Sequence, residues 1–254
     1  MTLEDLLAEL RDNILHDRSD RVSGATDYLW SDATLIRYIN EAQRRLARRG
    51  LVIRDGTTPA VCEVTLVEDQ ETYDLHPSVV AVISAKLDGD VADLGRTGHA
   101  MLNAYRPADG LYWDPGALTS LPPGKPLAFS TDEETGVDGD DIAQLVKLRV
   151  YPAPGPDYAG DTLRLRVVRL PIEELTTRTL KAKPEIPEDY HLDMLDWAAY
   201  LALRIVDRDG EDRGRAADFR ASFEDHVREA RRSSMRKLFA PTPWGFGRNG
   251  WTWG

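Results

Sequence analysis

Residues 30–50 read WSDATLIRYINEAQRRLARRG, and this stretch contains a full set of helix instructions. Ser31 is a strong N-cap, and Asp32 places negative charge where the helix dipole favours it. Trp30 and Leu35 have the spacing of a hydrophobic staple. Leu35, Tyr38, Ile39, Ala42 and Leu46 recur at helical spacing as a single apolar stripe. The other side holds Arg37, Arg44, Arg45, Arg48 and Arg49, and Gly50 supplies a permissive residue at the expected C′ position. Asn40 beside the apolar stripe is a poor helix former, better suited to a side-chain hydrogen bond.

Upstream, the periodicity predicts a helix over residues 3–16 with Leu3, Leu6, Leu7, Leu10 and Ile14 as its buried face, and Thr2 and Asp5 have capping-box spacing. The polar residues 17–29 read as a loop. Downstream of Gly50 the period changes to alternation, with turn residues about every ten positions, the pattern of an antiparallel sheet. Strands are expected over residues 60–67, 71–75, 79–87, 126–130, 142–151 and 162–170. Residues 68–70 and 152–161 read as hairpin connections between the first and the last pair. Residues 95–124 form a long irregular loop, with one or two helical turns at 100–105.

Helix returns near Pro187-Glu188-Asp189. Its run to about residue 208 carries two stripes: Met194, Trp197, Ala198, Leu201 and Ile205, then Leu192, Leu195, Ala199, Leu203 and Val206. A helix apolar on two faces is central to its bundle. After the break at 207–210, a last helix over 213–239 carries Ala216, Phe219, Phe223, Val227 and Ala230. The fold class is α+β: N- and C-terminal segments (1–58 and 172–240) form one helical bundle, an antiparallel β barrel or sandwich (59–171) is inserted, and an aromatic, glycine-rich tail (241–254) follows.

A chain of 254 residues has material for a sizeable core, and its formal charge of −11 disfavours general affinity for nucleic acid or anionic membranes. No apolar run approaches the roughly 20 residues of a membrane span. The acidic, periodic N-terminus is unlike a signal peptide. Cys62 is the one cysteine, which excludes an internal disulfide and fits a reducing compartment.

No motif carries clear chemistry. Gly245-x-Gly247-x-x-Gly250 matches a dinucleotide fingerprint, but no strand precedes it and no helix has room to follow. Residues 207–210 resemble part of a calcium loop, yet Ile205 and Ala216 would occupy two essential ligand positions. His76, His99, His191 and His226 lack the spacing of metal ligands. No cofactor, metal or catalytic residue is therefore assigned. Acidic runs at 132–134, 138–141 and 173–174 read as solvated loops.

Three passages, taken together, resemble the head-to-tail adaptor (connector) proteins of tailed bacteriophages. The first is Trp30-x-Asp32-x-x-Leu35-x-x-Tyr38-Ile39-Asn40-Glu41-Ala42-Gln43-Arg44. The second is Arg149-Val-Tyr151-Pro152-x-Pro154 with Gly160-Asp161-Thr162-Leu163-Arg164-Leu165. The third is Ile186-Pro187-Glu188-x-Tyr190-His191 with the apolar helix that follows. The pattern departs at Tyr73-Asp-Leu75-His76-Pro77, where proline is expected directly after the leucine.

The resemblance implies a structural virion protein and not an enzyme: a homo-oligomeric ring, dodecameric, between the portal protein and a tail or nozzle protein. Packaged DNA would pass through without sequence-specific binding, and no membrane is involved. Synthesis would occur in the host cytoplasm. Arg44, Arg45, Arg48 and Arg49 are the expected subunit interface, facing acidic helix residues of a neighbour such as Glu211, Asp212, Asp218, Glu224 and Asp225. Trp244, Phe246, Trp251 and Trp253 are the expected contacts with the portal. The alternatives are a cell-wall glycan hydrolase, needing two carboxylates about 5–10 Å apart in a cleft with Tyr112 or Trp113 as a sugar platform, and a DNA-binding regulator reading through residues 44–49.

Overall fold

Ser31 caps the helix as its sequence dictates: in the computed structural model its hydroxyl accepts the Thr34 N–H at 3.2 Å. The structure describes residues 1–17, 28–96, 122–138, 141–204 and 210–238, with backbone alone at 132–138, 141–145, 210–212 and 238. The chain divides into two compact units, Met1–Val52 with Glu173–Gly254, and Ile53–Ile172.

In the first unit, helix α2 (Asp32–Gly50) buries its whole predicted stripe, and Ile36, Gln43 and Ala47 with it. Its end departs from expectation. The left-handed residue is Leu51, at φ 55°, whose N–H donates to the Ala47 carbonyl. Gly50 is still helical, and a Cβ there would sit 3.1 Å from both Ala230 Cβ and Val52 Cγ1. The glycine is required by a close approach, not by turn geometry.

Helix α1 (Leu3–Glu9) starts with the expected capping box, Asp5 N–H to the Thr2 hydroxyl and Thr2 N–H to the Asp5 carboxylate at 2.8 Å. It then widens into a π-helical turn, Leu10–Leu15, closed by a left-handed His16. Bonds to the fifth rather than the fourth residue shift the face presented to the core. Leu15 is consequently buried, the predicted Ile14 is only half-buried, and Arg11 is drawn inside.

Helix α4 (Asp193–Leu203) and helix α5 (Gly210–Leu238) both pack on α2. Pro187-Glu188-Asp189 opens a single 3-10 turn (Glu188–Tyr190), not the helix itself. Met194, Leu195, Trp197, Ala198, Ala199, Leu201 and Leu203 are buried, whereas Leu192 lies outside the helix, 52% exposed. On α5, Phe223 is fully buried and sits 5.1 Å from Trp197 between ring centroids. Ile205, Val206, the 207–209 break and Phe239 fall outside the described residues.

The second unit is a pair of open sheets; among the described residues neither closes into a barrel. In one, β8 (Thr162–Arg169) is central, with β1 (Arg54–Asp55) and β2 (Glu63–Thr65) along one edge and β4 (Val79–Leu87) along the other, all antiparallel. In the other the order is β3 (Thr72–Asp74), β7 (Asp141–Tyr151), β6 (Ala128–Asp138) and β5 (Gly95–Arg96), and only the short β5–β6 pair is parallel. Phe129, Leu148 and Val150 of the second sheet share one core with Val82, Leu163, Leu165 and Val167 of the first.

That sharing corrects both expected hairpins. Residues 68–70 and 152–161 do not join paired strands; they cross between sheets, since β2 pairs with β8 and β3 with β7. Two boundaries also moved. Residues 59–62 make a helical turn, α3 (Pro59–Cys62), with proline at its start. Strand β6 continues through the acidic residues 132–138, because β7 is in register beside it throughout. The unusual Leu75-His76-Pro77 exit is a turn in which the His76 ring meets the Ser78 hydroxyl at 2.8 Å.

Because Gly50 touches Ala230, Gly50→Leu should destabilise the protein by about 1–3 kcal/mol, the usual cost of overpacking. Chemical denaturation of both proteins checks this, and an unchanged midpoint would remove the close-approach account.

Candidate functional site

The motif that carries the resemblance works by docking the chain that returns from the β unit. Asn40 donates its amide N–H to the Leu175 carbonyl at 2.8 Å and accepts the Leu175 N–H at 3.0 Å, so one side chain satisfies both polar groups of a residue that has no strand or helix partner. One turn on, Gln43, 1% exposed, accepts the Glu185 N–H at 3.0 Å. The same returning segment caps α1: the Ala182 and Leu180 carbonyls accept the Leu3 and Glu4 N–H groups at 2.9 Å. Beside this seam lies a recess of about 440 Å³, lined by Arg37, Asn40, Glu41, Arg44, Glu174 and neighbours.

The predicted arginine interface is divided by the fold. Arg45 lies 3.9 Å above the Trp197 ring, a cation–π contact. Arg49 forks onto Glu224 at 2.6 and 2.5 Å, and that bonding holds the Glu224 carboxyl below the usual range. Both are half-buried. Arg44 and Arg48 are exposed, Arg44 reaching Glu174 at 3.5 Å. Of the acidic residues expected to receive these arginines from a neighbouring subunit, Glu224 is thus engaged within its own chain. Asp225 is bonded to Arg228 at 2.5 Å.

Sequence reasoning missed a buried ion pair. Arg11, drawn in by the π turn, meets Asp17 at 2.8 Å, Asp32 at 2.5 Å and the Trp30 carbonyl at 2.8 Å, while Asp17 accepts the Leu29 N–H at 2.8 Å. The set ties the end of the first helix to the start of α2. Nothing in a plain 3.6-residue periodicity would have placed Arg11 inside.

The remaining polar clusters are structural in geometry. Burial pushes the Asp55 carboxyl up, but hydrogen bonds from Thr57, Thr58 and Arg169 more than reverse this and hold it well below the carboxylate range. Burial, helped by Asp55, pushes the Cys62 thiol up to about 11, which leaves it a small inert core residue. His226 sits between Asp193 at 3.5 Å and Asp196 at 3.3 Å; burial, with Asp196 and Glu229 near, holds the Asp193 carboxyl above its ordinary range despite His226. In the recess at the seam, the carboxylates Glu41 and Glu174 are 52% and 71% exposed, each near an arginine, without the apolar burial a glycosidase acid requires. Tyr112 and Trp113 lie outside the described residues, as do Trp244, Phe246, Trp251 and Trp253.

A family model described as SU10 adaptor protein matches residues 1–244. The chain belongs to the SU10 adaptor family. The match runs through both units, and it makes this chain a head-to-tail adaptor of a bacteriophage, a structural protein of the virion. No curated protein matches it. In this adaptor the helix with the family-like motif is the support on which the chain's two halves rejoin, and only part of its arginine face remains outward. No helix among the described residues is long and apolar enough to cross a membrane.

Asn40→Ala should cost about 1–3 kcal/mol, because it leaves a polar peptide unit unpaired, and amide exchange at residues 173–187 should accelerate more than exchange in the β unit. Uniform acceleration would sink the docking account.

His191, 1% exposed, gives a pH test: burial holds its ring below the usual imidazole range, although the Ile186 carbonyl at 3.0 Å pulls the other way. The neutral ring is favoured in the fold, so its contribution is complete above the unfolded value near 6.5 and is lost as pH falls through the folded value. Between about pH 7.5 and 5.5 the melting temperature should therefore fall more for the parent than for His191→Gln. Parallel curves would count against it.

Proposed function

We propose that this adaptor assembles as a dodecameric ring that closes the packaged head below the portal protein and offers the tail or nozzle protein a platform, with DNA passing through the ring. The observation that carries this reading is the family match over residues 1–244, which runs through both units. The exposed part of the arginine face supports a lateral contact. Arg44 and Arg48 point outward, and a head-to-tail pairing of unlike surfaces closes into a ring when its rotation permits. The interface so proposed is Arg44 and Arg48, with Arg45 and Arg49 bracing it from within their own subunit. The acidic total of the chain speaks for protein partners over nucleic acid.

The deciding measurement is the particle mass of the purified chain, alone and mixed with the portal protein of the same phage. A twelve-copy species on the portal is expected, and a chain that stays monomeric with the portal present would overturn the ring. Arg44→Glu with Arg48→Glu should weaken assembly at least tenfold while leaving the melting temperature within about 1 °C, as exposed charges usually do; the same reversal at Arg45 should lower it.

The tail at 241–254 is proposed as the portal contact, because Trp244, Phe246, Trp251 and Trp253 can each bury a large apolar area in a partner pocket. Deleting 241–254 should abolish portal binding at unchanged melting temperature. A large fall in melting temperature instead would assign the tail to the subunit's own core.

A further inference from the structure

Two features remain unused by the reading above. The first is the β6–β7 ribbon. Strand β3 covers β7 at residues 147–149, the Leu75 N–H reaches the Val146 carbonyl, and β5 covers β6 at 128–129, so among the described residues β6 and β7 pair with each other alone from Glu134 opposite Leu145 through to Asp138 opposite Asp141. A two-stranded ribbon is marginal in water, and its open edges invite a partner. Its sequence is one-signed: Glu134, Asp138 and Asp141, with Asp132 and Glu133 at its root and no lysine or arginine between 132 and 146.

The second is a recess of about 400 Å³ between α4 and α5, lined by Tyr200, Arg204, Arg213, Arg220, Glu224 and small alanines. Arg204 and Arg220 each stand 5.9 Å from the Tyr200 ring centroid. None of its three arginines is in an ion pair with a described carboxylate, while Glu224, the one acid in the lining, is already held by Arg49. All three arginines are exposed, and guanidinium groups, two of them beside an aromatic ring, are well suited to an acidic protein segment.

We infer that the acidic β6–β7 ribbon of one subunit docks in the Tyr200–Arg204–Arg213–Arg220 groove of a second copy of this chain. The inference rests on the ring reading and adds a second lateral contact to the one through Arg44 and Arg48. Charge complementarity selects the occupant: ribbon and groove carry opposite sign on every chain, and they are different surfaces, so each subunit offers one of each, as a closed ring demands.

The test uses the full chain in three forms: Asp132→Lys with Glu134→Lys and Asp138→Lys; Arg204→Glu with Arg213→Glu and Arg220→Glu; and all six together. Sedimentation velocity, with and without the portal protein, should show each triple variant weakened at least tenfold and the sixfold variant restored. A triple variant that assembles like the parent overturns the pairing and leaves the ring reading standing, as does loss for the ribbon variant alone, which would give the ribbon to a different protein. If the parent never assembles, the ring reading fails, and the pairing is judged by mixing Glu134→Cys with Arg213→Cys chains under oxidation, Cys62 being buried. A salt-sensitive mixed disulfide dimer upholds the docking, and its absence overturns it.

Discussion

The exchange of two hydrogen bonds between the Asn40 amide and the Leu175 peptide is the contact on which the helical unit depends. The chain leaves that unit at Val52 and returns at Glu173. A returning segment without regular structure must still find partners for its N–H and C=O groups. Helix α2 supplies them with side chains, Asn40 and Gln43 one turn apart, and the segment then turns its own carbonyls on the first turn of α1. Three pieces distant in sequence thereby satisfy one another.

The same economy shapes the charged surface. A helix face with arginine at 37, 44, 45, 48 and 49 looks, in sequence, like a uniform basic stripe. The fold divides it: a ring under Arg45, a carboxylate fork on Arg49, and exposed positions for Arg37, Arg44 and Arg48. Half-buried contacts of this kind stabilise the subunit, whereas exposed pairs such as Arg44 with Glu174 contribute little. What an adaptor can offer a neighbour is the part of its charge that its own fold leaves exposed.

The α2 helix, its cap and its buried stripe were legible because every one of these signals is local and they agree. Asn40 was legible as a hydrogen-bonding residue but its partner was not, since Leu175 is 135 positions away. The strands at 79–87 and 142–151 could be read from alternation; the sheet each belongs to could not, because pairing is a non-local choice. Reading 68–70 and 152–161 as hairpins failed for that reason. The acidic runs at 132–134 and 138–141 read as loops on composition, yet residues 132–138 are strand because β7 lies beside them.

By itself, then, the sequence determined the α+β class, the start and buried face of α2, the exclusion of an internal disulfide, and the family resemblance that the match over residues 1–244 bears out. Only the tertiary structure decided that two open sheets share a core, that Arg11 is interior, that Leu51 and not Gly50 takes the left-handed position, and which arginines remain outward. The reason is range: caps and periodicity act within a few residues along the chain, whereas burial, strand partners and close approaches such as Gly50 on Ala230 exist only once distant segments meet.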